Sequence, residues 1–284
     1  MLAKRIFSSA LLIGLLFYLS HSGHYWGVCI LVAVTGLLAQ WEFYTLQESK
    51  GLKVFKKAGV FCGAVYLLVC SLPSLPMAQA GTWWGGADTL AILLVIIGLL
   101  SRQVFETNQA SPMATVALTL FGFFYIPFLF SFIIKILFQA GYPPSQGVLL
   151  AAYVVAVTKA TDIGAFIVGT TLGRHKMSPT ISPKKTWEGF VGGLVLALVV
   201  SLALSRLFDP ISPVFHSFHP WCLGVLLSLI SVVGDLAESV IKRDARIKDS
   251  GGIIPGIGGC LDLIDSILFT APLFFSYLLF FIIP

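Results

Sequence analysis

A chain of 284 residues that is 57% hydrophobic and only 11% charged cannot cover a water-soluble globule, because soluble domains carry about 25% charged residues. Its net charge of +5 does not point to nucleic acid, since the basic residues fall in short loops between apolar runs, where topology and anionic lipid headgroups account for them. The five cysteines, Cys29, Cys62, Cys70, Cys222 and Cys260, show no CxxC spacing; they read as small buried hydrophobes and argue against a zinc site.

The apolar residues come in runs of roughly 17–25, the length that crosses a bilayer as a helix. The fold class this predicts is all-α, a polytopic integral membrane protein with about nine transmembrane helices near 6–20, 25–45, 58–75, 86–101, 113–138, 147–172, 188–206, 220–237 and 264–283. Lys4 and Arg5 precede the first run, but no Ala-x-Ala-like site follows and further spans come at once, so a cleaved signal peptide is a poor reading. Nine spans with a cytoplasmic N-terminus place fifteen of the 18 Lys and Arg in cytoplasmic loops and only Arg206 in the opposite ones. Lys135 and Lys159 fall within spans. That bias follows the positive-inside rule. The first half holds four acids, Glu42, Glu48, Asp88 and Glu106, whereas nine follow from Asp162 onward. Residues 1–140 therefore read as N-terminal scaffold helices. Residues 141–284 read as C-terminal helices carrying a catalytic site on the cytoplasmic face.

Within that second half, Lys159, Thr161 and Asp162 interrupt an apolar run. Ionisable groups are expensive in lipid and mark function by default, although an internal ion pair would also account for them. Ser182-Pro183-Lys184-Lys185-Thr186-Trp187-Glu188-Gly189 sets two lysines, a hydroxyl and a carboxylate just before a span, as a phosphate site would; topology alone would explain the lysines. Farther on, Asp235, Glu238, Ser239 and Lys242 stand at i, i+3, i+4 and i+7, one helical face of two carboxylates, a hydroxyl and an ammonium. Arg243 follows, then Lys248 and Asp249, then a glycine- and proline-rich stretch ending in Gly258 and Gly259. Such a stretch is no regular helix, and its backbone N–H groups can approach a phosphate closely. Asp262 and Asp265 open the last span three residues apart, an arrangement that suits a hard divalent cation. Acids at a helix N-terminus explain one of them more easily than two. Carboxylates, lysines and backbone donors on one membrane face are the inventory of phosphoryl and nucleotidyl transfer.

The stretch Ser239-x-x-Lys242-Arg243-x4-Lys248-Asp249-x-Gly251-x3-Pro255-Gly256-x-Gly258-Gly259-x-x-Asp262-x-x-Asp265 resembles the signature of the phosphatidate cytidylyltransferases, or CDP-diglyceride synthases. So do Ser182 to Gly189, and Asp162-x-Gly164-Ala165-Phe166 with Gly169 and Gly173-Arg174; in the first half only hydropathy and Glu42-Phe43 agree. The resemblance implies an enzyme of phospholipid biosynthesis that makes CDP-diacylglycerol from CTP and phosphatidic acid with Mg2+, one ion or two, releasing pyrophosphate. It implies a multi-pass protein of a cell membrane, the inner one in a bacterium, and a homodimer. Carried over by position, Asp235 and Asp262 would be the leading metal carboxylates, with Glu238, Asp249 and Asp265 as further ligands. Lys184, Lys185, Lys242, Arg243 and Lys248 would hold phosphates, beside Ser182, Thr186, Glu188, Ser239, Gly258 and Gly259. The chain departs from the pattern at Gly252, Ile257 and Leu263, where His, His and Arg are usual.

Three other readings stand beside this one. A CTP-dependent lipid kinase of the polyprenol or phytol type would release CDP. A transporter would use Asp162 and Lys159 as coupling residues, but internal repeats and matching broken helices are not visible. A non-catalytic relative would retain the fold without turnover.

Overall fold

The computed structural model of the chain describes residues 25–72, 80–106, 111–138, 143–207, 218–245, 247 and 259–282. Eight helices carry the described chain: α1 (Tyr25–Ser49), α2 (Lys56–Ser71), α3 (Ala80–Val104), α4 (Pro112–Leu137), α5 (Pro144–Thr171), α6 (Trp187–Leu207), α7 (His219–Asp244) and α8 (Cys260–Tyr277). All but α2, which has 16 residues, are long and apolar enough to cross a membrane, and the chain is a multi-pass membrane protein. These helices match eight of the nine expected spans, and the expected span at 6–20 lies outside the described residues.

Local chemistry sets the helix ends. Proline opens α4, α5 and α7 at the first turn, where its missing N–H costs no hydrogen bond. Gly51, at φ 77°, ends α1 in the left-handed conformation, and the N–H groups of Gly51 and Leu52 close on the carbonyls of Glu48 and Gln47. Within α4 a π-helical stretch, Phe124–Phe128, surrounds Pro127, whose ring cannot continue the regular hydrogen-bond ladder.

Helices α5 and α6 share a seam of small residues. A Cβ on Gly164 would come within 2.6 Å of the Gly192 carbonyl oxygen, and one on Gly193 within 2.7 Å of the Thr161 carbonyl oxygen. In lipid, where apolar surface gives helices no reason to associate, this close approach supplies the dispersion that holds them together. Helix α5 is the most enclosed span, with 67% of its apolar window buried against 11% for α3. Helix α3 is accordingly peripheral, and it turns Leu90, Leu93, Leu94, Ile97 and Leu100 outward.

Polar contacts tie the first four helices to one another. The Gln40 amide donates to the Tyr44 hydroxyl (3.1 Å) and the Gly59 carbonyl (3.0 Å), and Tyr44 donates to the Thr119 carbonyl at 2.7 Å. Lys135 pairs with Asp88 beside the Tyr66 hydroxyl. Intramembrane charges need such partners.

A feature the hydropathy pattern does not announce joins α5 to α6. Strands β1 (Lys176–Ser178) and β2 (Ser182–Thr186) form an antiparallel hairpin with Lys176 opposite Thr186 and Ser178 opposite Ser182. Among the described residues it is the one sheet in an otherwise helical chain.

Candidate active site

Four elements converge on one end of the bundle. Helices α7 and α8 pack closely where Gly234 faces the backbone of Asp265 and Ser266; a Cβ there would lie 2.9 Å from the Asp265 carbonyl oxygen. This closeness places Asp235, Glu238 and Lys242 of α7 against Asp262 and Asp265 of α8. Helix α5 adds Lys159 and Asp162, and β2 adds Lys185.

The oxygens of Asp235, Glu238 and Asp265 lie within 4.8 Å of one another, the spacing one cation can bridge. Glu238 is fully buried, and neither of its carboxylate oxygens has hydrogen-bond geometry to a partner among the described residues. The Lys242 ammonium lies 2.5 Å from Glu238 Oε2 but is aimed at Asp262 Oδ1, to which it donates at 2.6 Å. Lys185 stands 2.8 Å from Asp235 Oδ2. Lys159 is 3.5 Å from Asp162 and donates to the Leu263 carbonyl at 2.8 Å. Five carboxylates thus face three ammonium groups among the described residues, a formal excess of two acids when all are ionised. Buried carboxylates with unfilled lone pairs and an excess charge of two are the donor set of a hard divalent cation.

Asp262 and Asp265 both belong to this constellation but occupy different places in it. Asp265 joins the three-carboxylate cluster. Asp262 sits one turn nearer the helix start, where Lys242 and the Gly259 N–H (2.8 Å) hold it.

Other residues singled out in the sequence have structural partners in place. Thr186 is the N-cap of α6, its hydroxyl accepting from the Gly189 N–H at 3.1 Å. The Glu188 carboxylate accepts from the Arg174 N–H (3.1 Å) and the His175 N–H (3.2 Å), and lies 2.5 Å from His175 Nδ1, which fastens the base of the hairpin. Arg243 donates from Nε to the Ile181 carbonyl at 3.1 Å, tying the hairpin turn to α7. Ser182 and Lys184 lie on β2, Lys184 exposed, and Ser239 is buried on α7 next to Glu238. Lys248, Asp249, Gly258, Gly252 and Ile257 lie outside the described residues. Leu263 is half-buried against the core.

Glu42 of α1 has a part that no motif announces. This buried carboxylate accepts from the backbone N–H groups of Cys260 (3.0 Å) and Leu261 (2.9 Å), 218 and 219 residues away. With Asp262 on the Gly259 N–H, the first three donors of α8 all end on carboxylates. The sequence signals were an acid in an apolar run and the agreement of Glu42-Phe43 with the family pattern.

The family model described as "Cytidylyltransferase family" matches residues 3–281. Proteins named phosphatidate cytidylyltransferase are similar along most of their length. That of Haemophilus influenzae is 36% identical over 210 residues, covering 74% of this chain and 69% of its own. Those of Staphylococcus aureus (strain COL) and Staphylococcus haemolyticus are 34% and 33% identical, covering 87% and 84% of this chain and 89% and 85% of theirs. With nearly the whole chain matched, the protein belongs to the cytidylyltransferase family.

Proposed function

We propose that this protein transfers the cytidylyl group of CTP to phosphatidic acid, giving CDP-diacylglycerol and pyrophosphate on the cytoplasmic side of a bacterial inner membrane. The observation that carries the reading is the cluster of Asp235, Glu238 and Asp265 flanked by Lys185 and Lys242 at one end of a membrane bundle, in a chain whose relatives bear that enzyme's name. A phosphate oxygen of phosphatidic acid attacks the α-phosphorus of CTP. The new P–O bond forms as the bond to the bridging oxygen breaks, and pyrophosphate leaves with the electron pair. Both substrates are anionic, so charge neutralisation is the main requirement.

Mg2+ bound to Asp235, Glu238 and Asp265 would supply Lewis-acid stabilisation of the phosphates. Lys242 holds Asp262 and Glu238 in register. Lys185, 2.8 Å from Asp235 Oδ2, would lie beside phosphate held at the cluster, while Lys184, exposed on the same strand, would draw the polyphosphate in. Lys159 fixes the first turns of α8 through the Leu263 carbonyl.

Labelled CTP tests the reading with purified protein, phosphatidic acid and Mg2+. Label in the α-phosphate is expected in the lipid product, with release of pyrophosphate. Transfer of γ-label to the lipid with release of CDP would establish a kinase and overturn the proposal, as would CTP binding with no lipid product.

A further inference from the structure

Tyr125 lies outside every motif discussed above. It belongs to the π-helical stretch of α4, in the first half of the chain. Its ring is held on three sides: stacked on Phe121 (centroids 5.4 Å apart, planes 13° apart), against Phe43 at 6.2 Å, and edge-on to Phe269 of α8 at 6.3 Å. The residue is only 6% exposed, yet its hydroxyl has no hydrogen-bond partner among the described residues. Other buried tyrosines in this chain are satisfied. Tyr44 donates to Thr119, and the Tyr153 hydroxyl lies 2.6 Å from Ser201 Oγ. A buried phenol is normally paired, so an unpaired one calls for an explanation.

Phe269, against which the Tyr125 ring packs, lies one turn beyond Asp265 on α8 and 3.1 Å from where a Cβ on Gly234, the residue before Asp235, would stand. The hydroxyl is thus close enough to Glu238, Asp265 and Asp235 to feel their charge, and hydrogen-bonds to none of the three. A rigidly held donor that stops short of the carboxylates is placed to reach what they hold. We propose that Tyr125 is a further substrate-contacting residue, its hydroxyl donating a hydrogen bond to a phosphate oxygen bound at the carboxylate cluster. The proposal rests on the phosphate chemistry given above. Both substrates carry such an oxygen, so the chemistry is shared between the nucleotide and the lipid. A fixed neutral donor suits this position because another cation would compete with the metal for the carboxylates, whereas a phenol adds stabilisation where charge develops without doing so.

Tyr125→Phe keeps the ring and its aromatic contacts and removes one oxygen. No hydrogen bond within the described protein is lost, so the melting temperature in detergent is expected to equal or exceed that of the parent. With CTP, phosphatidic acid and Mg2+, kcat/KM is expected to fall about ten- to a hundredfold, the range for losing a hydrogen bond to a charged group. A raised KM for CTP, together with a smaller CTP-induced thermal shift in the absence of lipid, assigns the bond to the nucleotide. A raised KM for phosphatidic acid alone assigns it to the lipid. Turnover within twofold of the parent overturns the proposal, and so does a loss of activity matched by a lower melting temperature or failure to fold, since the hydroxyl would then be structural. Absence of CDP-diacylglycerol formation by the parent protein would instead defeat the proposed reaction, so the two failures are distinguishable.

Discussion

Replacing Glu42 with Gln should weaken the cation site without any change in a residue of that site. The apolar face of α8, with Leu261, Ile264 and Leu268 fully buried, seats the helix against its neighbours. Apolar packing is tolerant along a helix axis, however, and the position of the first turn depends on where its N–H groups find acceptors. Glu42 supplies two of them. Glutamine keeps one acceptor oxygen and turns an NH2 donor on the other N–H. A hydrogen bond to a charged group contributes about 1.5–3 kcal/mol, and the carboxylate's interaction with the helix N-terminus about 0.3–1 kcal/mol more. A cost of roughly 2–4 kcal/mol follows, at least thirtyfold in an equilibrium constant. If the first turn relaxes to avoid that cost, Asp262 and Asp265 move with it. Turnover titrated against Mg2+ should then show half-saturation at a concentration raised about tenfold or more, and the melting midpoint in detergent should fall. Glu42→Asp, one methylene shorter, should lie between Gln and the parent. A Glu42→Gln protein with parental melting and parental Mg2+ dependence would refute the reasoning and show that core packing alone positions the carboxylates.

Two further changes probe the scaffold. Gly164→Ala should destabilise the bundle by about 1–3 kcal/mol in thermal or denaturant unfolding, because the new Cβ meets a backbone oxygen at 2.6 Å and not a side chain that can turn away. Lys135→Met should cost about 1.5–3 kcal/mol by taking the ammonium from the partly buried Asp88. The double replacement Lys135→Met with Asp88→Leu should recover most of that stability, and substrate KM values should stay parental in both, since the pair sits with Tyr66 among the first four helices.

Hydropathy alone made eight of the spans legible, because a bilayer admits little besides apolar helices. The α7 face was legible for the same reason: Asp235, Glu238 and Lys242 keep helical spacing on a span where charges are costly. What did not show was how a residue with a suitable side chain spends it. Thr186 and Glu188 read as phosphate ligands in one dimension, and only the fold shows that they also serve as acceptors at a helix start and a hairpin base. The parts played by Glu42 and Tyr125 were hidden for a different reason. What they meet on α8 lies more than a hundred residues away, and no local spacing encodes a contact between helices so far apart in the chain.

Charge balance in the cluster leads to a prediction with two opposite signs. Like charges whose oxygens lie within 4.8 Å of one another repel by about 3 kcal/mol or more per pair at an effective dielectric constant of 20. Lys185 offsets part of this for Asp235, but the single Lys242 ammonium is shared between Asp262 and the fully buried Glu238. Without a divalent cation Glu238 should therefore be a net liability to the fold, and with one it should be an asset. Glu238→Gln keeps the volume and removes the charge, so it should raise the melting midpoint in the presence of EDTA. The same variant should lose most of the stabilisation that millimolar Mg2+ gives the parent protein. Sodium chloride at matched ionic strength should not reproduce the Mg2+ effect, because general screening acts weakly on a buried group. If Glu238→Gln instead melts lower in EDTA and keeps the full Mg2+ response, Glu238 is a partner of Lys242 alone, and the cation-binding role assigned to the three-carboxylate cluster is wrong.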